Sequence, residues 1–232
     1  VSFKVSRGEI VGVAGVEGNG QSEMISIITG NMAAIDGKVF LNGTDITRES
    51  INNIRKLGMS HVPEDRMLDG CAPEMSVQEN LTVSNIDSFA NKTGMIQKSK
   101  IKEFCKNQIV EFNVKTKDEN QSIGSLSGGN IQKVIVAREF KAKSDLLILN
   151  QPTRGVDVGA ISFIHSKILE MRSDNKAILL VSADLNELIS LSDRIIVMHK
   201  GKIAGILSNA PKVTEQELGL YMLGLKKQEG LG

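Results

Sequence analysis

Three stretches carry residues whose types and spacing could handle a phosphate group. The first, Leu126-Ser127-Gly128-Gly129-Asn130-Ile131-Gln132-Lys133, sets a serine and paired glycines before the apolar positions Ile131, Val134, Ile135 and Ala137. A helix that starts this way has bare backbone N–H groups and the positive end of its dipole, which suits an anion. Alone, the turn reads as an ordinary Gly-rich helix entry. The second, Gly15-Val16-Glu17-Gly18-Asn19-Gly20-Gln21-Ser22, follows the apolar run Ile10 to Ala14. It precedes a helical stretch from Met24 to Ile28 that stops at Gly30. Strand, Gly-rich loop and helix form the setting in which G-x-x-x-x-G-K-[ST] cradles phosphates. In the third, the apolar strand Asp145 to Leu149 runs into Asn150-Gln151-Pro152-Thr153.

Gly15, Gly20 and Ser22 meet the phosphate-loop pattern, but Gln21 stands where lysine belongs. The glycines still let backbone N–H groups surround a phosphate, and Ser22 can offer its hydroxyl to Mg²⁺. Gln21 is neutral and lacks the point charge that faces the β/γ-phosphates. Charge-assisted hydrogen bonds are roughly twice as strong as neutral ones, so the loss is about 1–3 kcal/mol of nucleotide affinity. A dinucleotide-binding loop is the rival. Gly15-x-x-Gly18-x-Gly20 does not match G-x-G-x-x-G, and the next strand, Lys38 to Leu41, ends in Asn42 rather than an acid.

The elements that must position these residues follow from periodicity. Val1 to Val5 alternates apolar and polar, as a half-exposed strand does. A short amphipathic segment (Ile51, Ile54, Leu57) leads into the strand Met59-Ser60-His61-Val62 and then Pro63-Glu64-Asp65-Arg66. His61 reads as a strand residue. From about Asp69 to Gly129 the pattern turns helical. Ser76 and Glu79 are spaced as a capping box, and Ile101, Phe104, Cys105, Ile109 and Phe112 share a face opposite a row of lysines. Ile178 to Asp184 is a further buried strand. Arg194 to Met198 with the turn Lys200-Gly201 completes an α/β pattern, and Thr214 with Glu217 reads as a second capping box opening a terminal helix. Gln228 to Gly232 looks frayed.

Composition narrows the classes. The 232 residues can bury about 70% of the unfolded surface. With 28 basic and 27 acidic residues the net charge is +1, and aromatics are 3% without Trp, so no nucleic acid partner is indicated. Cys71 and Cys105 read as two buried thiols rather than a metal or redox pair. No apolar run reaches the ~18 residues of a membrane span, and no signal peptide is visible. The chain opens at Val1 without Met, as expected of a piece cut from a longer protein.

In this order the features resemble the nucleotide-binding domain of an ATP-binding cassette (ABC) transporter. The resemblance implies an α/β fold: a P-loop NTPase (RecA-like) core with an inserted helical subdomain, of the ABC ATPase type. One N-terminally truncated ABC domain would cover 1–232, with core 1–66 and 140–205, helical subdomain 67–139 and a C-terminal tail 206–232. ATP and Mg²⁺ are the implied cofactors, with Gly15, Gly18, Asn19, Gly20, Gln21, Ser22 and Glu23 at the nucleotide and Ser22 as a weak Mg²⁺ ligand.

The family's remaining chemistry maps onto altered residues. Glu64 takes the place of the glutamine that reaches metal and attacking water. Asn150 and Gln151 replace the Asp that orders Mg²⁺ and the Glu that acts as general base; an amide cannot accept a proton near neutral pH. Ala183 occupies the site of the switch histidine. No residue is catalytically competent in cis, and the isolated domain is expected to hydrolyse ATP at background rate. The family's adenine-stacking aromatic would lie before Val1.

The signature turn, with Ser127, Gly128, Gly129, Asn130 and Gln132, is intact and in the family acts in trans on a partner domain's nucleotide. Gly155, Val156 and Asp157 lie in the loop that contacts that partner. Val62 to Arg66, the signature with Asn130, and Gln151 to Ala160 are similar to the C-terminal ABC domain of importer ATP-binding proteins for sugars and nucleosides, and Gln151 leans toward nucleosides. The implied partners are an N-terminal ABC domain of the same polypeptide, transmembrane permease subunits and, indirectly, an extracytoplasmic substrate-binding protein. The implied location is the cytoplasmic face of the plasma membrane. A catalytically dead nucleotide-binding interaction module outside transport is the alternative, and a self-sufficient ABC ATPase a third reading.

Overall fold

The computed structural model describes residues 1–208 and 210–228. Its strands are β1 (Ile10–Ala14), β2 (Phe40–Leu41), β3 (Thr44–Asp45), β4 (Met59–Val62), β5 (Leu146–Asn150), β6 (Ala177–Val181), β7 (Arg194–His199) and β8 (Lys202–Ser208). The α-helices are α1 (Gln21–Ile28), α2 (Ile51–Lys56), α3 (Val77–Thr82), α4 (Lys98–Glu111), α5 (Gly128–Phe140), α6 (Val158–Ser173), α7 (Leu185–Leu191) and α8 (Glu215–Met222). The chain divides into two compact units. The first holds Val1–His61, Ser144–Gln151 and Ile168–Gly232; the second holds Val62–Lys143 and Pro152–Lys167.

The first unit is built on a six-stranded sheet in the order β4-β5-β6-β1-β7-β8. β5, β6, β1 and β7 run parallel, and β8 returns antiparallel along β7. The parallel strands read as unbroken apolar runs because little of them meets water: every residue of β1 and β6 is buried. Val11, Val13, Ile148, Leu179, Val181 and Ile196 form the centre of one hydrophobic cluster. The β7–β8 turn has φ of 47° at Lys200 and 71° at Gly201, the left-handed pair a two-residue hairpin needs. α8 lies so close to β8 that a Cβ at Gly205 would stand 2.7 Å from the Tyr221 ring.

The second unit is helical. Ser76 and Glu79 make both halves of the capping box of α3. On α4, Ile101 and Cys105 are buried, while Lys98, Lys100, Lys102 and Lys106 are exposed. α5 is buried from Ile131 to Phe140, charged residues included. There Arg138 Nε donates to Glu139 Oε1 at 2.7 Å and Nη2 to the Gly70 carbonyl at 2.8 Å.

Several expectations change. Val1 to Val5 forms no strand: Phe3 and Val5 pack on the first unit's core, and the Arg194 side chain, not a neighbouring strand, meets the Lys4 carbonyl. The strand expected at Lys38–Leu41 is confined to Phe40–Leu41. The expected core boundary at 140–205 is redrawn, because Pro152–Lys167 clusters with the helical unit. The expected tail, 206–232, takes in the end of β8 and all of α8 within the first unit, and Gln228 bonds to Ala204 and Ile206 rather than fraying. Glu229 to Gly232 lie outside the described residues. Thr214 caps α8, but the Glu217 carboxylate takes Lys226, so the second capping box is half made. Cys105 is buried, its thiol pushed up to about 12 by desolvation, whereas Cys71 is only half-buried.

Candidate functional site

In the first unit, β1 delivers the chain at Ala14 into the glycine-rich loop, and α1 begins at Gln21. Gly18 and Gly20 have φ of 82° and 102°, a backbone that L side chains rarely adopt. The amides of Gln21, Ser22 and Glu23 open α1 and have no acceptor within it. The β7–β8 turn braces the loop: Lys200 N–H donates to Asn19 Oδ1 at 2.8 Å and Gly201 N–H to Asn19 O at 3.0 Å. A Cβ at Gly20 would come within 3.1 Å of Gly201 Cα. Asn19 therefore turns its side-chain oxygen to the turn, a brace the sequence pattern did not reveal. Gln21 folds back across Gly15, its Nε2 donating to Val16 O at 3.3 Å, and any side chain at Gly15 would collide with that amide.

The end of β5 is occupied in the same way. Asn150 is buried at its last position, and Gln151 follows with φ 53°. Gln151 N–H donates to Val181 O at 2.8 Å, and its Oε1 accepts from Ala183 N–H at 3.0 Å. The structure thus brings together the two positions after β5 and β6 where a base and a histidine were sought, and joins them through an amide. Neither can take up a proton.

In the second unit, α5 starts at Ser127 with no side-chain cap, and Ser127 is exposed. Asn130 Nδ2 donates to Ser127 Oγ at 2.8 Å, and its Oδ1 accepts from Lys115 N–H at 2.8 Å. The Lys115 amide can only donate, which fixes the Asn130 amide orientation and leaves the Ser127 hydroxyl proton pointing away from Asn130. Gln132 is buried and donates to Pro152 O at 2.8 Å. Asp157 caps the start of α6 by accepting from Ala160 N–H at 2.9 Å, and its carboxylate stands against Gly129, where a Cβ would meet Oδ2 at 2.8 Å. Gly155 has φ 65°, and Val156 is half-buried between them in sequence. Glu64, sought as a metal-facing group, is ion-paired with Arg154.

Backbone donors at the Gly15–Ser22 loop fit a chain of phosphates, since the loop keeps its cradle and its unpaired amides. The fit to Mg²⁺ is poorer: Ser22 and Asn150 are neutral oxygens, where that cation favours carboxylates. The fold and the two sites define a P-loop NTPase domain of the ABC ATPase type. A family model described as ABC transporter matches residues 1–154. The chain is 44% identical to the nucleoside import ATP-binding protein NupA of Lactococcus lactis subsp. cremoris, over 97% of this chain and 44% of that protein. It is 42% identical to the guanosine import ATP-binding protein NupO of Bacillus subtilis, over 99% of this chain and 45% of that protein. It therefore spans less than half the length of these relatives. A solved ATP-binding subunit of an ABC transporter shares the fold, with a TM-score of 0.77 at 21% identity, covering 96% of this chain and 91% of that one. The chain belongs to the ABC transporter ATP-binding family. Among the described residues no helix is long and apolar enough to cross a membrane.

Proposed function

We propose that this chain is the second, degenerate ATP-binding domain of an importer's ATP-binding protein, with nucleosides favoured over simple sugars as cargo. The observation that carries the reading is a contrast in repair. Gln151 closes onto Ala183 at one end of β5, while Ser127 and Gly128 open α5 with donors unspent. The domain would hold ATP weakly through the Gly15–Ser22 amides, with Ser22 as a poor Mg²⁺ ligand. Bound Mg²⁺ supplies charge that neutralises phosphate oxygens. Ser127 to Asn130 would serve the nucleotide of an N-terminal ABC domain in the same polypeptide, and Gly155 to Asp157 would face that domain. Permease subunits would hold the pair at the cytoplasmic side of the plasma membrane, supplied by a substrate-binding protein outside.

Nucleoside cargo is supported by the names of two relatives and by Gln151, which the resemblance associates with nucleoside importers. The test is the gene upstream of Val1. An upstream ABC domain carrying the Lys, Asp, Glu and His that this chain lacks supports the reading. An upstream region of any other kind overturns it. Uptake of labelled guanosine against labelled ribose in cells lacking the gene then decides the cargo.

A further inference from the structure

Within Val62-Pro63-Glu64-Asp65-Arg66, the last residue has no part in the reading above. Arg66 opens a π-helical turn, Arg66–Gly70, that Asp65 caps by accepting from Met67 N–H at 2.8 Å and Leu68 N–H at 3.0 Å. The cap fixes the Arg66 backbone, and the side chain reaches the loop before α6. Nη1 donates to Arg154 O at 2.7 Å and Nη2 to Gly155 O at 3.2 Å. The same guanidinium lies against the signature turn: a Cβ at Gly128 would stand 2.8 Å from Nη2 and 3.2 Å from Cζ. A Cβ at Gly155 would stand 3.3 Å from Nη2. One planar group therefore fills the space that two glycines leave, one in each loop.

We propose that Arg66 is a positioning residue whose guanidinium locks the signature turn, Ser127–Gly129, to the loop 154–157. The lock sets the Ser127 hydroxyl and the neighbouring amides in the geometry they need, and it rests on the reading that those groups act on a partner domain's nucleotide. The neighbouring ties, Gln132 to Pro152 and Asp157 against Gly129, fix the flanks but leave Gly128 and Gly155 to Arg66. Arginine suits the place because its fork meets two carbonyls while its flat face packs on glycine, which an ammonium cannot do.

The experiment uses the full-length protein in membranes with its permeases, comparing wild type, Arg66→Lys, Arg66→Ala and Ser127→Arg. Arg66→Lys keeps charge and length as a guard against failure to fold. Hydrogen exchange is read on peptides spanning 126–131 and 153–158, and ATPase kcat and KM are measured separately. We expect both peptides to exchange faster together in both Arg66 variants. We also expect kcat to fall about tenfold or more with KM within about twofold, the mark of misplaced rather than missing contacts. Added guanidinium ion should restore part of the turnover of Arg66→Ala. Loosening confined to 153–158, or turnover within about twofold of wild type in both Arg66 variants, overturns the proposal. Turnover surviving Ser127→Arg removes the underlying reading instead, and paired loosening in the exchange data would then still establish the lock.

Discussion

On the proposed reading, the two units hold different halves of the same chemistry. In the first, the scaffold for phosphate is complete, from the β1 strand through the left-handed glycines to the brace at Asn19. On that reading, positions where the family carries reactive groups hold amides that bond to the backbone: Gln21 on Val16 O, Gln151 on Ala183 N–H. In the second, the side chains around the signature turn are fixed by hydrogen bonds, with the charged Arg66 and Asp157 and the neutral Asn130 each holding a defined place. Under that reading the frame persists without the chemistry, because backbone geometry comes from glycines and apolar runs while proton transfer comes from a few titratable groups. At the signature turn only Ser127 is exposed, while Gly129 is buried.

The largest effect that could break this comparison is at Ser127. Ser127→Arg puts a bulky cation at the exposed start of α5, where the proposal places the partner domain's nucleotide. In the full-length protein with its permeases, ATP turnover should fall by at least about 10²–10³-fold, the scale of losing a donor to transition-state charge or of blocking closure. Nucleotide binding to the N-terminal phosphate loop should persist. Gln151→Ala in the same protein should leave turnover within a few-fold of wild type. The chain on its own should release phosphate at the background rate. If Ser127→Arg is silent and Gln151→Ala abolishes turnover, the sites are assigned the wrong way round.

Stability should separate the units next. Arg138 is 9% exposed and Glu139 1%, and the pair lies inside the second unit. Truncating one member breaks a buried charge pair, which costs about 3–5 kcal/mol. Arg138→Ala also orphans the Gly70 carbonyl. Denaturant unfolding of the chain should show a drop of that order, with exchange first rising in α3 and α5. A change below about 1 kcal/mol would mean that the α5 charges are dispensable.

Much of the frame was legible from the residues, and the reasons are local. Apolar runs named β1, β5, β6 and β7 because parallel strands bury nearly every position. Ser76 and Glu79 named the start of α3 because a capping box is complete within four residues. The Val1–Val5 stretch misled because alternation shows only that two faces differ, and Arg194 replaced the missing neighbour. The buried Arg138–Glu139 pair and the role of Arg66 were illegible, since each depends on carbonyls about 60–90 residues away in sequence. At the candidate site, the motif spacing found the loop and the signature turn. It gave no sign that Glu64 would be taken by Arg154.

A smaller effect would sharpen the account of the phosphate loop. Gln21→Lys restores the point charge and frees Val16 O from its present donor. Calorimetry on the chain with ATP and Mg²⁺ should begin from high micromolar to millimolar affinity and tighten by about tenfold, at ~1.4 kcal/mol per decade. Weaker binding by the lysine variant, or nanomolar binding by the wild type, would contradict the neutral-amide explanation.

The smallest effect asks whether, in the first unit, a carboxylate at its start anchors the strand that runs into Asn150 and Gln151. Asp145 precedes β5 and is held by Arg7, with Nη1 donating to Oδ1 at 2.9 Å and Nη2 2.7 Å from Oδ2; Asn42 Nδ2 donates to Oδ2 at 2.8 Å. The Arg7 hydrogen bonds, outweighing partial desolvation and helped by Asn42, hold the Asp145 carboxyl below its ordinary value of 3.8. A lowered value in the folded state means that the carboxylate stabilises the fold above the unfolded value. That contribution is lost as pH falls through the folded one. Arg7 and Asp145 are 49% and 35% exposed, so solvent screening limits the effect to a few tenths of a kcal/mol. Asp145→Asn should therefore cost that much at pH 7 in urea unfolding. The gap from wild type should shrink as the pH falls below about 4, because protonation removes the same charge from the wild type. A gap that stays constant or widens toward acid would show that Asp145 anchors β5 by packing alone, and that the charge there no longer serves the strand.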